Sequence, residues 1–248
     1  MAVTLDAAAR DREAEPGTGT LRKTAFVAGG FYLLTFVSSI PAVFLLAPVL
    51  DDANYIVGSG SDTRVLFGCF LDLINAIACI GTAVTLFPVV KRQHQGAALG
   101  FVGARLFEAA IIVIGVVSLL AVVTLRQDVA GAAGTDNGSL VAVGQSLVAV
   151  RDWTFALGPG LVPGINALLL GYLMYRSGLV PRLIPVLGLI GAPLLITSAT
   201  ATLFNSNDPI TALAAIATLP IFLWELSLGL WLVVKGFKPS PITARLAP

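Results

Sequence analysis

Charge is scarce in this chain. Only 12% of its 248 residues are Asp, Glu, Lys or Arg, and 56% are hydrophobic; an ordinary soluble domain is about 25% charged. A water-soluble fold of this size cannot hide so much apolar surface, so lipid must solvate much of it. The formal net charge of +1 removes any global electrostatic case for nucleic acid as a partner. Histidine is almost absent. His94 is the single one, in a basic loop, and one histidine makes no metal site. Ser38, Ser39, Ser118 and Ser146 therefore lack the base that a Ser-His arrangement needs. The two cysteines, Cys69 and Cys79, stand ten residues apart in one apolar run. On one helix that is about 15 Å, too far for a bond between them, and nothing around them resembles a zinc ligand set. HExxH, GxSxG, P-loop and CxxC patterns are missing. The expectation is no catalytic residue, no metal and no cofactor.

What the chain does have is long apolar runs, with a mean hydropathy of +0.90. Six satisfy the requirement of about 20 mostly apolar residues per bilayer crossing: 24–47, 63–90, 96–125, 157–175, 183–204 and 210–234. Open backbone groups have no partner inside a bilayer, so these are helices, and the period-2 alternation of a membrane barrel is absent. The expected fold is an all-α polytopic bundle of six transmembrane helices. Residues 1–20 read as a disordered cytoplasmic tail, 21–238 as the membrane domain and 239–248 as a second cytoplasmic tail. The first run begins only after Arg22 and Lys23, later than the apolar core of a cleaved signal, and reads as a retained span.

Orientation follows from the basic residues. Arg22, Lys23, Lys91, Arg92, Arg176, Arg182, Lys235, Lys238 and Arg245 fall on one side; Asp51, Asp52, Asp62, Asp128, Asp136 and Asp208 fall on the other, with only Arg126 and Arg64 as bases. The positive-inside rule places the first side, and both termini, in the cytoplasm. Segment 140–156 is apolar but contains Arg151-Asp152. A seventh span there would put the later basic residues outside. It is instead an outer extension of the fourth helix or a helix lying in the interface. The Gly158-Pro159-Gly160-Leu161-Val162-Pro163-Gly164 stretch that follows must kink or break the chain.

Candidate chemistry lies in the ionisable residues inside the spans. Asp72, Asn75, Cys79 and Thr82 are spaced by 3, 4 and 3, and share one helix face. Arg105 and Glu108, at i, i+3, are placed to pair. The fourth region offers Gln145, Arg151, Asp152 and Asn166, and the sixth span Thr218 and Glu225. Asp72, Glu108, Asp152 and Glu225 outnumber Arg105 and Arg151. A cation site, a proton path or a cationic ligand would exploit that imbalance; polar pairs that merely pin helices together are the competing reading. The expected binding set is Asp72, Asn75, Arg105, Glu108 and Glu225, with Asp152 and the broken helix near the outer mouth.

The run Gly171-Tyr172-Leu173-Met174-Tyr175-Arg176-Ser177-Gly178-Leu179-Val180-Pro181-Arg182, followed by Leu187-Gly188, resembles the central motif of a bacterial membrane family catalogued as domain of unknown function 4386. Gly30-Phe31-Tyr32-Leu33-Leu34-Thr35, Ala104-Arg105-Leu106-Phe107-Glu108-Ala109 and the stretch from Trp224-Glu225 to Lys235-Gly236 are similar to it as well. The resemblance implies six helices and a bacterial plasma membrane, and no reaction or ligand. The 158–164 break is a departure from the more continuous fourth helix it implies. The motif itself reads as a tight hairpin, with Arg176 and Arg182 at the interface and able to hold a lipid phosphate between them. Partners are then the bilayer and either a small lipid-like, amphipathic or cationic ligand or another membrane protein. An intramembrane enzyme has the least support.

Overall fold

The computed structural model describes residues 16–58, 61–129, 136–204 and 211–244. The chain runs α1 (Pro16–Asp51), a short 3-10 turn (Tyr55–Val57), α2 (Thr63–Val90), α3 (Gln95–Val129), α4 (Asn137–Leu157), α5 (Val162–Ser177), α6 (Leu183–Phe204), α7 (Thr211–Val234) and a final turn α8 (Pro241–Ala244). Six helical stretches are long and apolar enough to cross a membrane, with Asn137–Ser177 counting as one. Residues 1–15 and 245–248 of the expected tails lie outside the described residues.

The order of packing is the order of the chain. Each long helix lies against its neighbours in sequence except α4 and α5, which follow one another through the break; α3 packs on both of them, and α7 closes back on α1. The result is a closed ring with an interior. The seam is tightest at a glycine contact: a Cβ on Gly29 of α1 would stand 2.7 Å from the carbonyl oxygen of Gly229 on α7, so the backbones touch there. The terminal face is sealed by apolar packing of Tyr32, Leu86, Phe101, Met174 and Leu228. A second apolar cluster around Leu46, Val65, Leu119 and Val123 fills the opposite half.

Segment 140–156 is an extension of the fourth helix rather than a helix lying apart from the bundle. It forms α4, packs along α3 and against the 3-10 turn, and leads through the break at 158–161 into α5. Pro159 and Pro163 carry no N–H, so Phe155 and Pro159 lose their usual i+4 donors. The Gly160 amide donates to Phe155 instead, at 2.9 Å. The same defect is repaired differently in α1. Pro48 leaves the Phe44 carbonyl without its partner, and Arg64 Nη2 donates to it at 2.6 Å.

The described parts of the two expected tails, 16–20 and 239–244, carry structure. α1 already begins at Pro16, a favourable first helical residue. At the other end, the Lys238 amide donates to the Leu179 carbonyl at 2.7 Å, and Ser240 Oγ donates to Ser177 O at 2.5 Å. The segment after α7 thus satisfies open carbonyls at the end of α5. Arg22 does the same for α7, donating to Val233 O and Val234 O, each at 3.0 Å. In the hairpin between α5 and α6, Gly178 takes the left-handed conformation at φ 68°, which a glycine adopts without strain.

On the face away from the termini, Arg126 forms a clasp. It pairs with Asp62, donates from Nη2 to Gly58 O at 3.0 Å and lies over the Tyr55 ring. Asp62 also accepts from Tyr55 Oη at 2.8 Å and Gln127 Nε2 at 3.0 Å. Partial burial pushes the Asp62 carboxyl up. Hydrogen bonds from Gln127 and Tyr55 and the Arg126 charge outweigh it and hold the group below its ordinary 3.8. Burial and the bond to Asp62 push the Tyr55 phenol up to about 12. A carboxyl depressed in the folded state stabilises above its unfolded value and loses that contribution as pH falls through its folded value. Acidification below pH 4 is therefore expected to loosen this end first, read as faster amide exchange in 55–58. Asp62→Asn should remove the pH dependence of that exchange; an unchanged acid profile in the variant would refute the clasp.

Candidate functional site

Between the two apolar clusters lies a cavity of about 220 Å³ lined from all seven long helices and from the α4–α5 break. Of the residues expected from sequence, Asp72, Asn75, Arg105, Glu108 and Glu225 all line it. Their depth follows from helix geometry. Asp72 is nine residues into α2 from Thr63, and Glu225 nine residues from the end of α7 at Val234, each about 13 Å along its helix.

Two ionic groups face this space. In the first, Arg105 Nη1 donates to Glu108 Oε2 at 3.1 Å and Arg105 Nη2 to Glu225 Oε1 at 2.5 Å. One guanidinium holds two carboxylates and ties α3 to α7. Its plane is packed near the rings of Tyr32 and Phe101, 5.2 and 5.9 Å from their centroids, and Nη1 is 3.6 Å from Cys79 Sγ. Asn166 Nδ2 adds a donor to Glu108 Oε2 at 2.8 Å. In the second group, Arg151 Nη2 donates to Asp72 Oδ2 at 3.0 Å, and the guanidinium lies 5.0 Å from the Phe155 ring.

The expected i, i+3 pair in α3 is present. Asp72 pairs with Arg151 across the bundle. Asp152 lies elsewhere: it is exposed and lines a second cavity of about 230 Å³ with Asp51 and Asp52, at the face away from the termini. Adjacent residues on a helix diverge by about 100°, so only one of Arg151 and Asp152 can face the centre, and Arg151 does. The aromatic wall formed by Phe36, Phe155 and Phe222 was not anticipated; three phenylalanines in three separate apolar runs carry no local signal. Arg176 and Arg182 are exposed at the α5–α6 hairpin, with Arg182 5.7 Å from the Tyr175 ring centroid.

The cavity's polar lining is unfinished. Three carboxyl groups, Asp72, Glu108 and Glu225, share two guanidiniums, Arg105 and Arg151. Arg105 Nε and Arg151 Nε are buried without a protein partner. Buried polar atoms are satisfied in nearly all cases, so water or a bound molecule must supply these contacts, and the cavity has room for either. Among the described residues no group of three His, Cys, Asp or Glu side chains could hold a metal ion.

A ring of six apolar crossings around a central ionic cavity defines an all-α, multi-pass membrane protein. The family described as Domain of unknown function (DUF4386) matches residues 27–236. The chain belongs to that family. No curated protein and no solved structure matches it.

Proposed function

We propose that this protein binds, and carries across or within the membrane, a small lipid-like, amphipathic or cationic ligand in the central cavity. The observation that carries the reading is the unfinished ionic lining deep in the bundle: three carboxyl groups sharing two guanidiniums and buried donors without acceptors, around a space that a purely structural network would close. Asp72, Glu108 and Glu225 attract the ligand. Arg105 and Arg151 hold those carboxylates in place. The broken helix contributes Pro159 and Pro163 to the wall, as unwound helices do at transporter midplanes. With the basic loops inside, both termini face the cytoplasm of a bacterial plasma membrane, and a lipid phosphate docks between Arg176 and Arg182 at that surface.

One observation favours a second reading, a non-catalytic membrane subunit. The Arg105–Glu225 bridge ties together helices far apart in sequence and would serve a scaffold equally well. Native mass spectrometry of mildly extracted protein separates the two. The wild type is expected to retain a small molecule stoichiometrically, and Glu225→Gln, which removes one carboxylate but keeps an acceptor for Arg105, to lose it with an unchanged melting temperature. A bare chain, or one carrying only a co-purified protein, would overturn the binding reading.

A further inference from the structure

The cavity has a side opening. Four of its lining residues are large apolar side chains that are also exposed: Ile40 (46%) and Val43 (50%) on α1, Phe155 (43%) at the end of α4, and Phe222 (36%) on α7. A side chain that contributes to an interior wall and is also half-exposed marks a rim. This rim is bounded by α1, α7 and the α4–α5 break.

Its depth decides what it opens onto. Val43 is eight residues before the end of α1 at Asp51, about 12 Å along the helix. Its neighbours Val37 and Phe44 are among the most exposed apolar side chains of α1, as lipid-facing residues are. None of these four rim side chains is charged. α1 and α7 touch at Gly29 and Gly229 near the termini. Further along, the Phe36 and Phe222 rings meet edge to face, with centroids 5.1 Å apart, and beyond them the two helices contribute Ile40, Val43 and Thr218 to the cavity wall. Just behind this apolar mouth lie the carboxylates.

We infer that the cavity is loaded sideways from the hydrocarbon phase, between α1 and α7, by an amphipathic monocation whose charged head enters past Phe36 and Phe222 while its chain stays in lipid. This rests on the central cavity being a binding site. It narrows the ligand by two independent features. Three carboxyl groups against two guanidiniums favour one positive charge over a zwitterion or anion. The apolar, lipid-level mouth selects a molecule that the bilayer concentrates. The aromatic rings at the entrance suit a cation, which their faces attract.

The test compares three probes on the full-length protein in phosphatidylcholine nanodiscs, with empty discs as the baseline: decyltrimethylammonium, decanesulfonate with the same chain and opposite charge, and tetramethylammonium with the charge and no chain. One saturable equivalent of decyltrimethylammonium is expected. Its affinity should be at least about tenfold above that of tetramethylammonium, because lipid concentrates the chain at the mouth. It should fall about tenfold or more in Glu225→Gln, because a unit charge in a low dielectric is worth at least that much. Decanesulfonate should not saturate. Val43→Trp, which narrows the mouth without touching the charges, should slow uptake of the chain-bearing cation at least about fivefold, as large side chains crowd a packed opening. Decanesulfonate binding as well as the cation would overturn the charge assignment. Equal affinity for tetramethylammonium, together with an unaltered rate in Val43→Trp, would overturn lateral entry while leaving the site in place. Saturation by none of the three would remove the inference and the binding site together.

Discussion

Replacing Arg105 with leucine is expected to cost the bundle about 3–5 kcal/mol, the range for removing one partner of a buried ion pair, and to leave little folded protein after extraction. The reason is geometric. Arg105 is 2% exposed and holds Glu108 and Glu225, so its loss strands two carboxylates at mid-membrane depth. The double change Arg105→Leu with Glu108→Leu, neutral if the pair were self-contained, leaves Glu225 alone and should remain destabilised. Only the triple change that adds Glu225→Gln removes every stranded charge, and it should recover most of the loss, since a buried ionic group replaced as a whole by apolar or neutral side chains is often tolerated. Denaturation in mixed micelles, followed by tryptophan fluorescence, measures the series. A double variant as stable as the triple would show that Glu225 does not depend on Arg105.

Gly29→Leu is expected to open the ring and destabilise the fold by about 3 kcal/mol, the upper end for overpacking. Its first added atom would lie 2.7 Å from Gly229 O and 2.8 Å from the Val233 amide nitrogen. Those are backbone atoms in the last two turns of α7 and cannot turn aside as a side chain can. The neighbouring glycine is the control. A Cβ on Gly30 meets nothing within 4 Å, so Gly30→Leu should be close to neutral, within about 0.5 kcal/mol as for exposed sites. Thermal melts of the two variants side by side make the comparison. Equal melting temperatures would mean that the α1–α7 contact does not close the ring.

Local information reached the elements and part of the site. The Arg105–Glu108 pair needs only the rise and turn of one helix, and the 158–164 break needs only two residues that lack an N–H. The face shared by Asp72, Asn75 and Cys79 is likewise a matter of period, and all three line the cavity. The choice between Arg151 and Asp152 is different in kind. Both are polar, adjacent and on the same helix, and the partner that draws Arg151 inward, Asp72, is 79 residues away. The ordered segment after α7 escaped for a similar reason: its short polar stretch holds its shape through the ends of α5, not through its own composition.

Hydropathy along the chain determined by itself that lipid is the solvent, that there are six crossings and that charge is divided unequally between the two ends of the bundle. Each of these depends on residues close in sequence and on the energy of moving them out of water. Tertiary structure alone decided that the six helices close into a ring, that one guanidinium serves carboxylates on two helices, and that aromatic side chains from three runs line one cavity. Those features depend on contacts such as Arg105 with Glu225, 120 residues apart, and on backbone approach at Gly29 and Gly229. The energy of such contacts exists only once distant helices have been brought together.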